Sequence, residues 1–211
     1  MDRRRQPAGN NSRANSHARS HIATEAARIL ATEGTNDYQL AKQKAADRLS
    51  IHNRQHLPSN DEIEHALREY LNIFQPTSLS QRVATRRRVA LKAMNFLADF
   101  RPKLVGALLR GTVTENSEIQ LHLCADTPEH VAAKLMDNNI PYETTSRRLR
   151  YGSNRHEEMP GYVFTAENIS IELLIFTPSG FHEKPLSPID GRSMPRASTR
   201  DVEKLLGSNV A

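Results

Sequence analysis

Apolar residues recur at helical spacing through the first hundred positions and at strand spacing after that. Ile22, Ala26, Ile29 and Leu30 mark one face of a first helix, which Gly34 ends. Asn36 is placed to cap a second, with Tyr38, Ala41, Ala45 and Leu49 on a common face. Pro58 and Asn60 open a third, in which Ile63, Ala66, Leu67, Tyr70, Leu71 and Phe74 keep the i, i+3, i+4 pattern until Pro76. A fourth runs from about Ser80 to Phe100, with Val89, Ala93, Phe96, Leu97 and Phe100 inward and Pro102 just beyond its end.

The period then changes. Ile119, Leu121 and Leu123 alternate with Gln120 and His122, the mark of a half-exposed strand. Thr127-Pro128-Glu129 starts another helix with Val131, Ala132, Leu135 and Met136 on its apolar face. Tyr142 to Tyr151 reads as a polar, basic strand. Tyr162–Thr165 and Ile169–Thr177 read as a hairpin turning at Glu167-Asn168. Residues 178–197 form a Pro/Gly/Ser segment without periodicity, and Ser198 with Asp201 forms a capping box for a short last helix. Helices first and a mixed β/α region second predict an α+β fold: an N-terminal helical region followed by a small mixed sheet with flanking helices. The expected divisions are an unstructured tail over 1–18, helices over 19–78, an α/β domain over 79–178, and an irregular loop with a short helix over 179–211.

Charge adds one feature to this picture. The net charge is +5, and Arg3, Arg4, Arg5, Arg13 and Arg19 against Asp2 place most of it in the first twenty residues. Such a tail can touch nucleic acid, or it can simply be solvated. The body is close to neutral. No apolar run approaches a membrane span, no secretory leader is recognisable, and Cys124 is the single cysteine, so the chain reads as cytoplasmic with no membrane partner. Cys124 ends an apolar run and reads as a small buried hydrophobe.

The segment Gly106-Ala107-Leu108-Leu109-Arg110-Gly111, followed by Ser117-Glu118-Ile119-Gln120-Leu121, carries the candidate chemistry. It resembles the defining motif of the DNA polymerase beta-like nucleotidyltransferase superfamily: a Gly-Ser turn, an Arg-Gly, then Ser-Asp-Ile-Asp-Leu entering a strand. Ten residues separate Gly106-Ala107 from Glu118, as that pattern requires. The resemblance implies a nucleotidyltransferase-like fold over roughly residues 85–177. It also implies a site made of Glu118, Gln120 and, from a later strand, Glu172. Glu118 and Glu172 would be the metal ligands, and Gly106, Ala107, Arg110 and Ser117 would approach a nucleoside triphosphate. The chemistry of such a site is two divalent ions about 4 Å apart clamping attacking and leaving oxygens. Two acids at i and i+2 on a strand point to one face, so both can reach metal.

Three positions depart from the motif. Ala107 lacks the serine hydroxyl, Glu118 replaces an Asp with one more methylene, and Gln120 replaces the second Asp with a neutral amide, a poor ligand for Mg²⁺. His122 shares their face, but imidazole suits softer metals. Two functions follow from the resemblance. One is Mg²⁺-dependent transfer of a nucleotide to an acceptor by a degenerate site. The other is a non-catalytic module of the same fold that binds a nucleotide, RNA or protein. Convergence of Glu118, Gln120 and Glu172 within about 5 Å in an open cleft would keep metal chemistry available, whereas a cleft filled by side chains would argue against it.

The whole chain is also similar to a bacterial family of hypothetical proteins, through Glu25–Leu30, Asp37–Lys42, Leu57–Asn60 and Pro185–Arg192. Some members carry a muramate–alanine ligase label, but the Gly-rich Lys-Ser/Thr phosphate loop such ligases need does not occur in this chain. Arg147, Arg148 and Arg150 are placed to meet a nucleotide or RNA backbone, and equally read as the charged protection of an edge strand. Arg192 and Arg196 can fold over the same cleft. His17, His21 and Glu25 lie four apart on a helix as a candidate metal face, against a solvated reading. The N-terminal helices offer a surface for a protein partner.

Overall fold

The computed structural model describes residues 9–51 and 53–207, so residues 1–8 of the basic tail, with Arg3, Arg4 and Arg5, lie outside it. The chain divides into two compact units, Met1–Pro76 and Thr77–Ala211.

The first unit contains α1 (Gly9–Thr32), α2 (Tyr38–Arg48) and α3 (Asn60–Phe74). The expected unstructured tail is helical from Gly9 onward. From Asn10 to Glu33 there is neither Pro nor Gly, and Ala14 and Ala18 favour helix, so the turns anchored by buried Ile22, Ala26, Ile29 and Leu30 propagate backwards. Arg19 donates to Glu62 at 2.8 Å and ties α1 to α3. Asp37, not Asn36, caps α2, its carboxylate accepting from the Gln39 and Leu40 amides. Ser59 and Glu62 form a capping box on α3. Ile63, Leu67 and Leu71 are buried as the pattern requires, but Phe74 is 66% exposed. As the last helical residue it stacks on the Tyr70 ring at 4.7 Å instead of entering the core.

All of α4 (Pro76–Phe96) but its first residue lies in the second unit; it starts four residues earlier than expected, because Pro76 serves as its first-turn proline. There follow β1 (Lys103–Val105), α5 (Gly106–Arg110), β2 (Ile119–Cys124), α6 (Pro128–Asp137), β3 (Glu143–Arg150), β4 (His156–Ala166), β5 (Ile169–Phe176), α7 (Pro178–Phe181) and α8 (Thr199–Gly207). The strands form one mixed sheet in the order β1-β2-β5-β4-β3, with β2 and β5 parallel and the other pairs antiparallel. The protein is therefore α+β, a five-stranded mixed sheet with flanking helices. Glu167 and Asn168 both adopt positive φ, 51° and 61°, in the two-residue turn between β4 and β5.

Alternation divides β2 and β5 into two faces. Ile119, Leu121, Leu123, Ile171, Leu173 and Ile175 point one way and are almost wholly buried. Gln120, His122, Glu172 and Leu174 point the other way. The expected half-exposed character of β2 is not observed, since His122 is 1% exposed. The reason lies in residues 178–197. α7 contacts β2 and β5, Leu186 pairs with Ser193, and Ala197 exchanges backbone hydrogen bonds with Leu104 at 2.8 and 2.9 Å. The segment without periodicity is thus laced to the sheet and covers its second face. The expected capping box holds at Ser198 and Asp201. No helix among the described residues is long and apolar enough to cross a membrane.

Candidate functional site

Gln120 on β2 and Glu172 on β5 are direct register partners in the parallel pair. That register brings their side chains together on the covered face, and Gln120 Nε2 donates to Glu172 Oε2 at 2.9 Å. The other carboxylate oxygen, Oε1, accepts from Arg147 Nε at 2.5 Å. Arg147 arrives from β3, with β4 between it and β5. The same guanidinium places Nη2 3.6 Å from Glu118 Oε2. Glu118 and Glu172 therefore share one group, an arginine, and Gln120 joins them through Glu172.

Glu172 is 1% exposed and Arg147 about half exposed. An isolated buried carboxylate would be costly; here both oxygens are satisfied, one by a neutral amide and one by a cation. The hydrogen bond to Glu172 holds the Arg147 guanidinium more firmly protonated than usual. Glu118 responds differently. Burial, and then the Glu172 charge, push its carboxyl above the ordinary range, with Arg147 opposing. An acid whose folded-state pKa is raised favours the fold below its unfolded pKa and loses that contribution as pH rises through the folded one. Glu118→Gln is accordingly expected to raise stability at pH 7.5 by up to about 1 kcal/mol and to change little at pH 4, measured as a shift in urea midpoint. A clear loss at pH 7.5 would show that the Arg147 contact outweighs the burial.

Gly106 explains why the amide fits. Its φ is +75°, and a Cβ built there would lie 2.2 Å from Gln120 Oε1. The turn glycine gives both the left-handed backbone that opens α5 and the space that Gln120 fills. The remaining candidate ligand-binding positions lie on α5 and in the loop before β2. Ser117 is buried, its hydroxyl accepting from the Thr114 amide at 2.9 Å and bonding Thr114 Oγ1 at 3.0 Å, so it braces the loop before β2. Arg86 supports the same loop from α4, donating to the Glu115 and Ser117 carbonyls. Ala107 and Arg110 lie within α5, partly buried.

Beside Gln120 and Glu172 opens a cleft of about 660 Å³. Its basic lining, Arg147, Arg148, Arg150 and His156, comes from β3 and the start of β4. Its apolar lining comes chiefly from elsewhere: Val105, Leu174, and Leu186, Pro188 and Met194 of the covering segment. The three apolar residues of that segment carry no periodicity that would have marked them in the sequence. His122 lies at the cleft floor, where Nδ1 accepts from Arg196 Nε at 3.1 Å. Burial and then the Arg196 charge push its pKa down to about 3, so it is a neutral imidazole with the proton on Nε2. Arg196 stacks between Phe176 and Phe181 at 4.8 and 4.9 Å and also donates to the Phe181 carbonyl, which pins the covering segment to the floor.

Both Glu172 oxygens are engaged by N–H donors, Gln120 presents its amide nitrogen to them, and a guanidinium stands between Glu172 and Glu118. Hard cations need carboxylate and carbonyl oxygens facing them. As arranged, these residues do not fit a two-metal centre. Among the described residues no group of three or more His, Cys, Asp and Glu is placed to hold a metal. His17, His21 and Glu25 follow suit, Glu25 being paired with Arg28 and Arg48. No protein-family model matches the chain, and no curated protein matches its sequence.

Proposed function

We propose that this chain is a nucleotidyltransferase-like protein with a degenerate metal site that binds a nucleotide rather than transferring one. The observation that carries this reading is the position of Arg147, whose guanidinium is bound to Glu172 and faces Glu118, on the ground where transfer chemistry needs divalent ions. The cleft supports it. Arginines from β3 suit a phosphate chain, and Val105, Leu174, Leu186, Pro188 and Met194 suit the flat apolar surface of a base.

The alternative, Mg²⁺-dependent transfer to an acceptor, draws on a specific feature as well. Glu118 and Glu172 face one guanidinium beside an open cleft, and Gln120 is bonded to Glu172, so the three candidate positions are neighbours. Calorimetric titration with ATP, GTP, CTP and UTP, alongside a transfer assay with labelled nucleotide, separates the two. Binding at micromolar Kd without transfer, weakened at least tenfold in Arg148→Ala/Arg150→Ala, is the expected result. Turnover lost in Glu172→Gln would establish the enzyme instead, and no binding by any nucleotide would reject both.

A further inference from the structure

We infer that Arg147 is the resident cation of this site, filling the place a divalent ion would take, so that the ligand is held as a free polyphosphate anion and not as its magnesium complex. The ligand class rests on the nucleotide-binding reading above; the exclusion of metal rests on the side-chain geometry alone.

The argument begins with charge. Glu118 and Glu172 bring two negative charges, and Arg147 answers them from one guanidinium, 2.5 Å from Glu172 and 3.6 Å from Glu118. Gln120 completes the exchange. A carboxylate 2.9 Å from Glu172 would demand a cation between the two, whereas an amide donates a hydrogen bond across that gap and needs none. Each departure makes sense only with the other: without the cation the carboxylates repel, and with a third carboxylate one guanidinium would be too little charge. Gly106 provides room for the amide oxygen, so Gln120 is fitted to the backbone and not an accident of the surface.

The consequence for the ligand has a definite sign. Arg147, Arg148 and Arg150 together outweigh Glu118 and Glu172 by one charge. A polyphosphate meets that excess directly. Complexing it with Mg²⁺ cancels roughly two of its negative charges and adds a hydrated ion that would have to displace Arg147 from Glu172 and Glu118. Magnesium therefore weakens binding here, opposite to its effect where the metal bridges protein and phosphate.

Two measurements test this. In the first, Mn²⁺ is titrated into the ligand-free full chain by electron paramagnetic resonance. Wild type and Arg147→Lys are expected to show no site that Glu118→Gln abolishes, and Arg147→Ala/Gln120→Glu is expected to gain one, at least tenfold tighter. In the second, ATP is titrated in EDTA and in excess Mg²⁺. The wild type is expected to bind about tenfold more weakly with Mg²⁺, and the double variant to reverse that order. Mn²⁺ bound stoichiometrically by wild type and lost in Glu118→Gln would overturn the inference, as would tighter ATP binding with Mg²⁺. If ATP binds under neither condition, the nucleotide-binding reading fails, and the Mn²⁺ titration of the wild type still decides the role of Arg147. Should the double variant not fold, judged by circular dichroism, the wild-type measurements decide alone.

Discussion

Gly161→Ala is expected to destabilise the sheet unit by about 3 kcal/mol or more, a fall of roughly 10 °C in Tm. Gly161 sits in β4, paired with Leu174 of β5 and Thr145 of β3. A Cβ added there would lie 2.1 Å from the Leu173 carbonyl oxygen and 3.0 Å from Leu174 Cδ2. The first neighbour is backbone, in a strand hydrogen-bonded on both sides, so no rotamer change relieves the clash. Either β4 parts from β5 or β5 shifts against β2. Both movements disturb Glu172, one residue from the clash, so the variant should also lose ligand affinity beyond what its stability loss explains. Thermal denaturation of Gly161→Ala beside Gly152→Ala, whose Cβ would meet nothing within 4 Å, provides the measurement and its control. Equal melting temperatures for the two would show that β4 and β5 are not held as closely as described.

The same pair of strands shows what a sequence can and cannot disclose about this site. Glu172 was legible as a partner of Glu118 and Gln120 because the resemblance implies a third position on a later strand, while alternation along β2 sets Glu118 and Gln120 on one face. Arg147 was legible only as one basic residue among several on an edge strand. Its contact with Glu172 depends on the order β2-β5-β4-β3, a non-local pairing that no periodicity of β3 encodes. Ser117 shows a different limit: its motif position suggests a phosphate, and in the structure its hydroxyl accepts from the Thr114 amide three residues away. Residues 178–197 have neither helical nor strand period, so nothing marked them as the cover that buries His122. Their structure comes from scattered backbone hydrogen bonds to Arg150 and Leu104 and from the stacking of Arg196.

Gln120→Glu tests the site at its most sensitive point, because it changes one N–H group into an oxygen and almost nothing in shape. The wild-type amide donates to Glu172 Oε2 at 2.9 Å, beside a carboxylate that is 1% exposed. In the variant two carboxylates face each other at that distance, with Arg147 engaged on the far oxygen of Glu172. Such a pair cannot both ionise cheaply, so one proton is shared between them. The sign follows from linkage. The unfolded chain releases that proton near pH 4 and the folded chain holds it to higher pH, so the fold is favoured at low pH and weakens as pH rises. At pH 8 the variant should lie roughly 3 kcal/mol or more below wild type, the cost of an uncompensated buried charge, against about 1–2 kcal/mol for Gln120→Ala, which merely leaves an acceptor without its donor. At pH 4 most of the difference should vanish. A stability gap of the same size at both pH values would mean that the amide acts by shape and not by charge, and the guanidinium of Arg147 would then be no substitute for a metal.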